Sequence, residues 1–170
     1  MHRRPATVRE TKALGHPLRL RILRLCREGE LTNKQLAERL GKDPGTVLYH
    51  VRQLVEAGLL DQAPVRTGES GALEKPYRAV VDTWWLDGPL NDAEPAERFA
   101  PIEAFQQELQ EGGPESVRIW DRFVLHLNPE DVTELERRIL AVLDEYIEND
   151  DERRGRPAVG GLFALHQLPD

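Results

Sequence analysis

The sequence predicts a mainly α chain of the α+β class, in which a group of N-terminal helices ends in a β-hairpin and a small α/β module follows. Three observations carry this. Apolar residues recur at helical spacing in four short segments before Gly58. The period then changes to that of strands on either side of a glycine-containing loop. Finally, the charge divides: the first 80 residues hold 15 Lys and Arg against 9 Asp and Glu, a net of +6, while the last 90 hold 8 against 21, a net of -13. The total of -7 over 170 residues thus sums a basic module able to meet nucleic acid and an acidic one.

Each early helix carries its own boundary signals. Thr7 and Glu10 form a capping box that opens Val8 to Leu14, and His16-Pro17 places proline at the first position of the next helix. There Leu18, Ile22, Leu25 and Cys26 make a stripe, widened by Leu20 and Leu23 and ended by Gly29. Thr32 and Gln35 form a second capping box before Leu36, Ala37 and Leu40, with Gly41 as terminator. Asp43 caps a fourth helix with Pro44 at its first position, Val47, Val51 and Leu54 on one side, and Gly58 at its end.

Residues 59–65 and 75–81 read as two strands joined by the polar tip Arg66 to Glu74. Residues 87–95 read as a linker, with Gly88-Pro89 and Asn91-Asp92 as breakers. In the second half, residues 97–111 read as a helix with Phe99, Ile102, Phe105 and Leu109 on one side. The alternation Val117, Ile119, Phe123, Leu125 and Leu127 predicts a strand. Asn128-Pro129 opens a long helix with Val132, Leu135, Ile139, Val142 and Tyr146 at 3–4 spacing; residues 148–156 read as a solvated turn and 159–168 as a last strand. The expected organisation is residues 1–86, 87–95 as linker, and 96–170 as a dimerisation or effector module.

Several classes fall away. No apolar run approaches the roughly 18 residues of a membrane span, and no apolar stretch follows the basic start from Met1 to Arg4, so neither a span nor a secretory signal is expected. Cys26 is the single cysteine, which excludes an intrachain disulfide and a Cys-based zinc site. A cytoplasmic protein is the expectation. Catalytic motifs are missing too: no P-loop, G-x-G-x-x-G, G-x-S-x-G or H-E-x-x-H is present, so no enzyme and no cofactor is expected.

Two helices joined by a turn at Gly41, with a basic hairpin after them, form a winged helix-turn-helix pattern. Its second helix needs a free face able to enter a major groove about 12 Å wide; here that face carries Pro44, Gly45, Thr46, Leu48, Tyr49, Arg52 and Gln53. The small residues at its start would let backbone amides approach a phosphate or base edge. Tyr49 and Arg52 are long enough to read bases or clamp phosphates. In the hairpin, Arg66, Lys75 and Arg78 are candidate phosphate contacts, opposed at the tip by Glu69 and Glu74.

Three segments in order, Leu14 to Leu23, Leu31 to Leu40 and Thr46 to Leu60, resemble the ArsR-type winged-helix transcriptional regulators of bacteria. The resemblance covers about the first 80 residues. It implies a homodimer on a pseudo-palindromic operator of double-stranded DNA, with the Pro44 to Ala57 helix in the major groove. DNA contacts would fall on Pro44, Gly45, Thr46, Leu48 and Tyr49, with Thr32 and Lys34 near phosphate. The ligands of metal-sensing members are missing, since the Thr32 to Leu40 helix has no Cys or His and the Pro129 to Asn149 helix supplies only carboxylates.

Other residues admit two readings. His50 donates to a phosphate or is a half-buried strut hydrogen-bonded to a neighbouring helix. Arg19, Arg21, Arg24 and Arg27 form a phosphate-binding face or a solvated stripe. Trp84, Trp85, Phe99, Trp120 and Phe123 line a small-molecule effector pocket or make a second core or dimer interface. The expected function is a dimeric, sequence-specific DNA-binding regulator of transcription. The alternatives are a protein-interaction module whose winged helix no longer binds DNA, and a small-molecule sensor.

Overall fold

A computed structural model describes residues 3–68 and 71–169; Glu69, expected to oppose phosphate at the hairpin tip, lies outside them, as do Met1 and His2. The chain divides into two compact units, the first ending at Glu111 and the second starting at Gly112. The first contains α1 (Val8–Leu14), α2 (Pro17–Glu28), α3 (Asn33–Leu40), α4 (Pro44–Glu56) and α5 (Ala100–Gly112, except its last residue). Its short strands are β1 (Arg4–Pro5), β2 (Leu31–Thr32), β3 (Leu60–Gln62), β4 (Arg66–Thr67), β5 (Leu73–Glu74), β6 (Pro76–Ala79) and β7 (Leu86–Asp87). The layout is mainly α with small sheets.

The capping residues do locally what their chemistry allows. The hydroxyls of Thr7 and Thr32 accept from the N–H groups of Glu10 and Gln35, and both capping boxes are closed by the return bonds. His16 caps α2 through Nδ1, which accepts from Leu18 N–H at 3.1 Å. Gly41 ends α3 in the left-handed region (φ 58°), its N–H directed to Ala37 O and Glu38 O. A Cβ at position 41 would meet nothing within 4 Å, so the cost of Gly41→Ala is conformational alone. We expect a loss of about 1 kcal/mol, read as a lower urea midpoint at unchanged slope, with Gly41→Asn costing less.

The helices close over one core. Leu14, Ile22, Leu36, Val47, Val51, Leu54 and Leu59 are fully buried, each contributing about 1.5–3 kcal/mol by leaving water. Strands β3 and β6 pair antiparallel in the register Leu60↔Ala79, Asp61↔Arg78, Gln62↔Tyr77, as the hairpin pattern predicts. The sheet gains a third strand, β2, on the other side of β6. The outer hairpin narrows to the β4–β5 pair. Arg4 and Pro5 lie parallel to Leu86 and Asp87, and Arg3 sits 4.9 Å over the Trp84 ring while its Nε donates to Trp84 O.

Helix α5 forms where expected but buries a different face. Ala100 and Ala104 are buried, while Phe99 and Ile102 are 59% and 44% exposed. The reason is electrostatic. Arg21 of α2 is 2% exposed, and a buried guanidinium must be paired. Its Nη2 lies 2.6 and 2.5 Å from the two Glu111 carboxylate oxygens, its Nη1 donates to Gln107 Oε1 at 3.1 Å, and Arg24 Nε donates to Glu108 Oε1 at 2.7 Å. The carboxylates one and two turns beyond Ala104 close over the arginines.

In the second unit, α6 (Pro129–Ile147) starts at the Asn128 cap as the sequence predicts. The strands expected at 117–127 and 159–168 are not formed, and among the described residues of this unit none is buried. Ile119 is 78% and Trp120 73% exposed. An alternating pattern supplies a strand's side chains, but a strand exists only beside a partner, and no described segment of the unit offers one. The turn at 148–156 becomes a 3₁₀ segment (Asp150–Arg153).

Candidate nucleic-acid interface

Helix α4 presents two chemically distinct faces. Val47, His50, Val51 and Leu54 point into the core. Pro44, Gly45, Thr46, Tyr49 and Arg52 are exposed and Leu48 is half-buried. Tyr49, at 58% exposure, stands edge-on to the His50 ring with centroids 5.2 Å apart. The backbone from Gly41 to Thr46 is an exposed tip, so small and polar residues lead the helix outward.

The tip differs from the sequence expectation in one respect. The amides of Gly45 and Thr46 are not open to a phosphate, because Asp43 Oδ1 accepts from both, at 2.8 and 3.1 Å. A carboxylate at that helix end repels phosphate where bare amides would attract it. The α3–α4 turn is held from the other side by Asn33, whose Nδ2 donates to Pro44 O at 2.9 Å. Neither role was legible beyond capping, since Asn33 lies eleven positions from its acceptor.

Around α4 the candidate phosphate contacts are unequal. Lys34 is widely exposed, only 3.9 Å from Glu38 as a loose ion pair. Thr32 has its hydroxyl committed to the Gln35 amide. On the hairpin, Arg66 Nε donates to Glu74 Oε2 at 3.1 Å across the β4–β5 pair, which mutes its charge, whereas Lys75 and Arg78 are exposed. The four arginines of α2 take neither of their two sequence readings. Arg21 and Arg24 bind α5, Arg27 is ion-paired with Asp82, and Arg19 donates to Ala13 O and Lys12 O at the end of α1.

His50 is a strut of a different kind from the one expected. It is 8% exposed, its ring packs on that of His16 with centroids 4.4 Å apart, and its Nδ1 has no hydrogen-bond partner. Burial, the His16 ring and the Arg19 charge push its pKa down to about 4. The His16 pKa is also lowered, by burial and by Arg19 against an opposing pull from Glu103. Burial raises the Cys26 thiol to about 12, so it is an inert core group.

Trp84, Trp85 and Phe99 lie in the first unit, the tryptophans half-buried and Phe99 exposed, while Trp120 and Phe123 are exposed in the second. A cavity of about 160 Å³ in the first unit is lined instead by α2 and β6 residues, among them Leu20, Leu23, Arg27 and Ala79. Among the described residues no three His, Cys, Asp or Glu side chains gather where a metal ion would sit. No helix among them is long and apolar enough to cross a membrane.

Residues 14–63 match a helix-turn-helix domain family. The matched stretch takes in the whole of α2, β2, α3, α4 and β3, so it contains both the core that holds α4 and its exposed face. The helix-turn-helix domain supports DNA as a partner. No curated protein matches the chain.

Proposed function

We propose that the protein is a sequence-specific, ArsR-like transcriptional regulator that binds a pseudo-palindromic operator as a homodimer, without sensing metal. The observation that carries this is the division of α4. Four of its residues are locked in the core while Thr46, Tyr49 and Arg52 stand free on the opposite side, the arrangement a helix needs to enter a major groove. Thr46, Tyr49 and Arg52 then read bases, and Lys34, Lys75 and Arg78 fix the register on phosphates. Two such helices, related by a two-fold axis, would meet half-sites about 34 Å apart.

The second unit supports the dimer. It leaves Trp120, Phe123, Val142 and Tyr146 more than half exposed, apolar side chains that a second copy would cover. Fragments of the source genome in a gel-shift series test the reading. Binding is expected to be confined to few fragments and to weaken by about 10³-fold or more between about 50 and 200 mM salt. Affinity that ignores sequence and salt would sink it.

A further inference from the structure

Residues 117–127 have the chemistry of a strand and no pairing partner in their own chain. Val117, Ile119, Phe123, Leu125 and Leu127 alternate with Arg118, Arg122 and His126, so one face of the extended chain is apolar, broken only by Asp121, and the other is mostly polar. The backbone is extended at both ends, at Val117 (φ -79°, ψ 121°) and at Asn128 (φ -77°, ψ 168°). Between them, from 118 to 127, no backbone N–H or C=O is hydrogen-bonded to another described residue. Such a row of groups is a template for pairing with another chain.

The side chains need cover as much as the backbone does. Six apolar residues from Ile119 to Leu127 are 40–78% exposed, and on α6 Val142 and Tyr146 are 55% and 65% exposed. With a whole aromatic side chain burying about 150–250 Å², these groups amount to roughly 800 Å² per chain, which is what a standard interface covers on each partner. Segment 159–168 is a poor partner within the chain, because Gly160 and Gly161 interrupt its alternation. A second copy is a better one. Residues 117–127 carry only Arg118, Asp121 and Arg122 as charges, while most acidic groups of the unit lie between 130 and 152, so repulsion between copies is weakest where this segment would meet itself.

We propose that residues 117–127 pair antiparallel with the same segment of a second copy, forming a two-chain sheet whose apolar face the two α6 helices cover. This deepens the homodimer reading above, on which it rests. The helices supply what a two-stranded ribbon lacks by itself. A two-fold axis sets the register, because the residue on the axis faces its own copy. Full overlap would place Arg122 there, and a shift by one residue towards the N-terminus would place Asp121; each sets like charges opposite one another, which is destabilising. The opposite shift puts Phe123 on Phe123, an aromatic cross-strand pair, with Ile119 facing Leu127.

Sedimentation of the full chain reads the dimer. The wild type is expected to be dimeric, and Phe123→Lys, which sets two ammonium groups face to face, is expected to raise the dimer dissociation constant about 100-fold or more. Helix content should stay unchanged, since position 123 lies in no helix. Under oxidation Phe123→Cys is expected to form a disulfide-linked dimer and Trp120→Cys is not, because antiparallel copies of position 120 would stand about 20 Å apart. The native Cys26 is buried and does not compete. A monomeric wild type, a dimer that survives Phe123→Lys, a Phe123→Cys variant that does not cross-link, or cross-linking at both positions overturns the pairing. A dimer that behaves as expected yet retains no fragment in the gel-shift series upholds the pairing and overturns the DNA-binding reading alone.

Discussion

Replacing Tyr49 and Arg52 together by Ala is expected to weaken binding to the selected operator about 100-fold while leaving folding and dimerisation in place. Arg52 is exposed and has no core role, so its removal takes away only what it does outside the chain. A well-placed arginine on a base edge is worth about 1–3 kcal/mol, or roughly tenfold to a hundredfold in affinity. Tyr49 adds an apolar and hydrogen-bonding contact of smaller size and gives up only its edge contact with His50. Surface substitutions of this kind shift stability by about 0.5 kcal/mol or less. Fluorescence anisotropy with a labelled operator reads the affinity, and sedimentation reads the dimer. The expected pattern is a lost preference for the operator over random DNA with the salt slope little changed, since Arg52 meets a base edge and the phosphate contacts remain. If the double variant binds the operator as tightly as the wild type, α4 is not the reader, and an interaction module is the better account.

The helices of the first unit were legible because each start and stop is a local event. A hydroxyl three residues before a Glu or Gln, a proline after His16 and Asp43, and a glycine at position 41 act within one turn of chain. The sequence reading of α1 to α4 follows these signals and the structure keeps them. Strands are another matter, because half of a strand's definition lies elsewhere in the chain. The hairpin was readable from its own tip, but β2 and the β1–β7 pair have only two residues each and no periodicity of their own. At 117–127 the alternation was present and the pairing partner was not.

The same distinction explains the site. Amphipathic spacing on α4 separates a core face from a free face, so the exposed candidates follow from the pattern alone. Whether a charge is free depends on distant residues. Arg21 meets Glu111 at a separation of 90 positions and Arg24 meets Glu108 at 84, which turns a basic stripe of α2 into a clamp for α5. Within three residues a different thing happens at Asp43: the cap visible in the sequence takes up the Gly45 and Thr46 amides, and only the hydrogen-bond geometry shows that it closes the bare amides the small residues suggested.

Acid is expected to loosen the support of α4 well before it reaches the carboxylates. His50 has its pKa held at about 4 by burial, by His16 and by Arg19, against 6.5 for an ordinary imidazole. The unfolded chain therefore takes up a proton from about pH 6.5 downwards that the folded chain refuses, and stability falls as the pH drops from 6.5 to 4, levelling off below. The full depression corresponds to about 3 kcal/mol, a large share of the stability of a domain this size. His16 adds in the same direction. Its Nδ1 accepts from Leu18 N–H, and a proton on that nitrogen would remove the cap of α2. Glu10 acts in a separate window: the Arg4 guanidinium holds its carboxyl at about 2, so its contribution is present above pH 4.5 and is lost between 4.5 and 2. Urea unfolding followed by circular dichroism at pH 7, 5.5, 4, 3 and 2 distinguishes the two windows. His50→Leu is expected to flatten the upper window by removing the larger titration, and to leave the lower one unchanged. An upper window equally steep in wild type and variant would place the acid sensitivity outside His50. Over that range the folded chain keeps the His50 ring neutral down to about pH 4, so DNA binding through α4 should persist for as long as the chain stays folded.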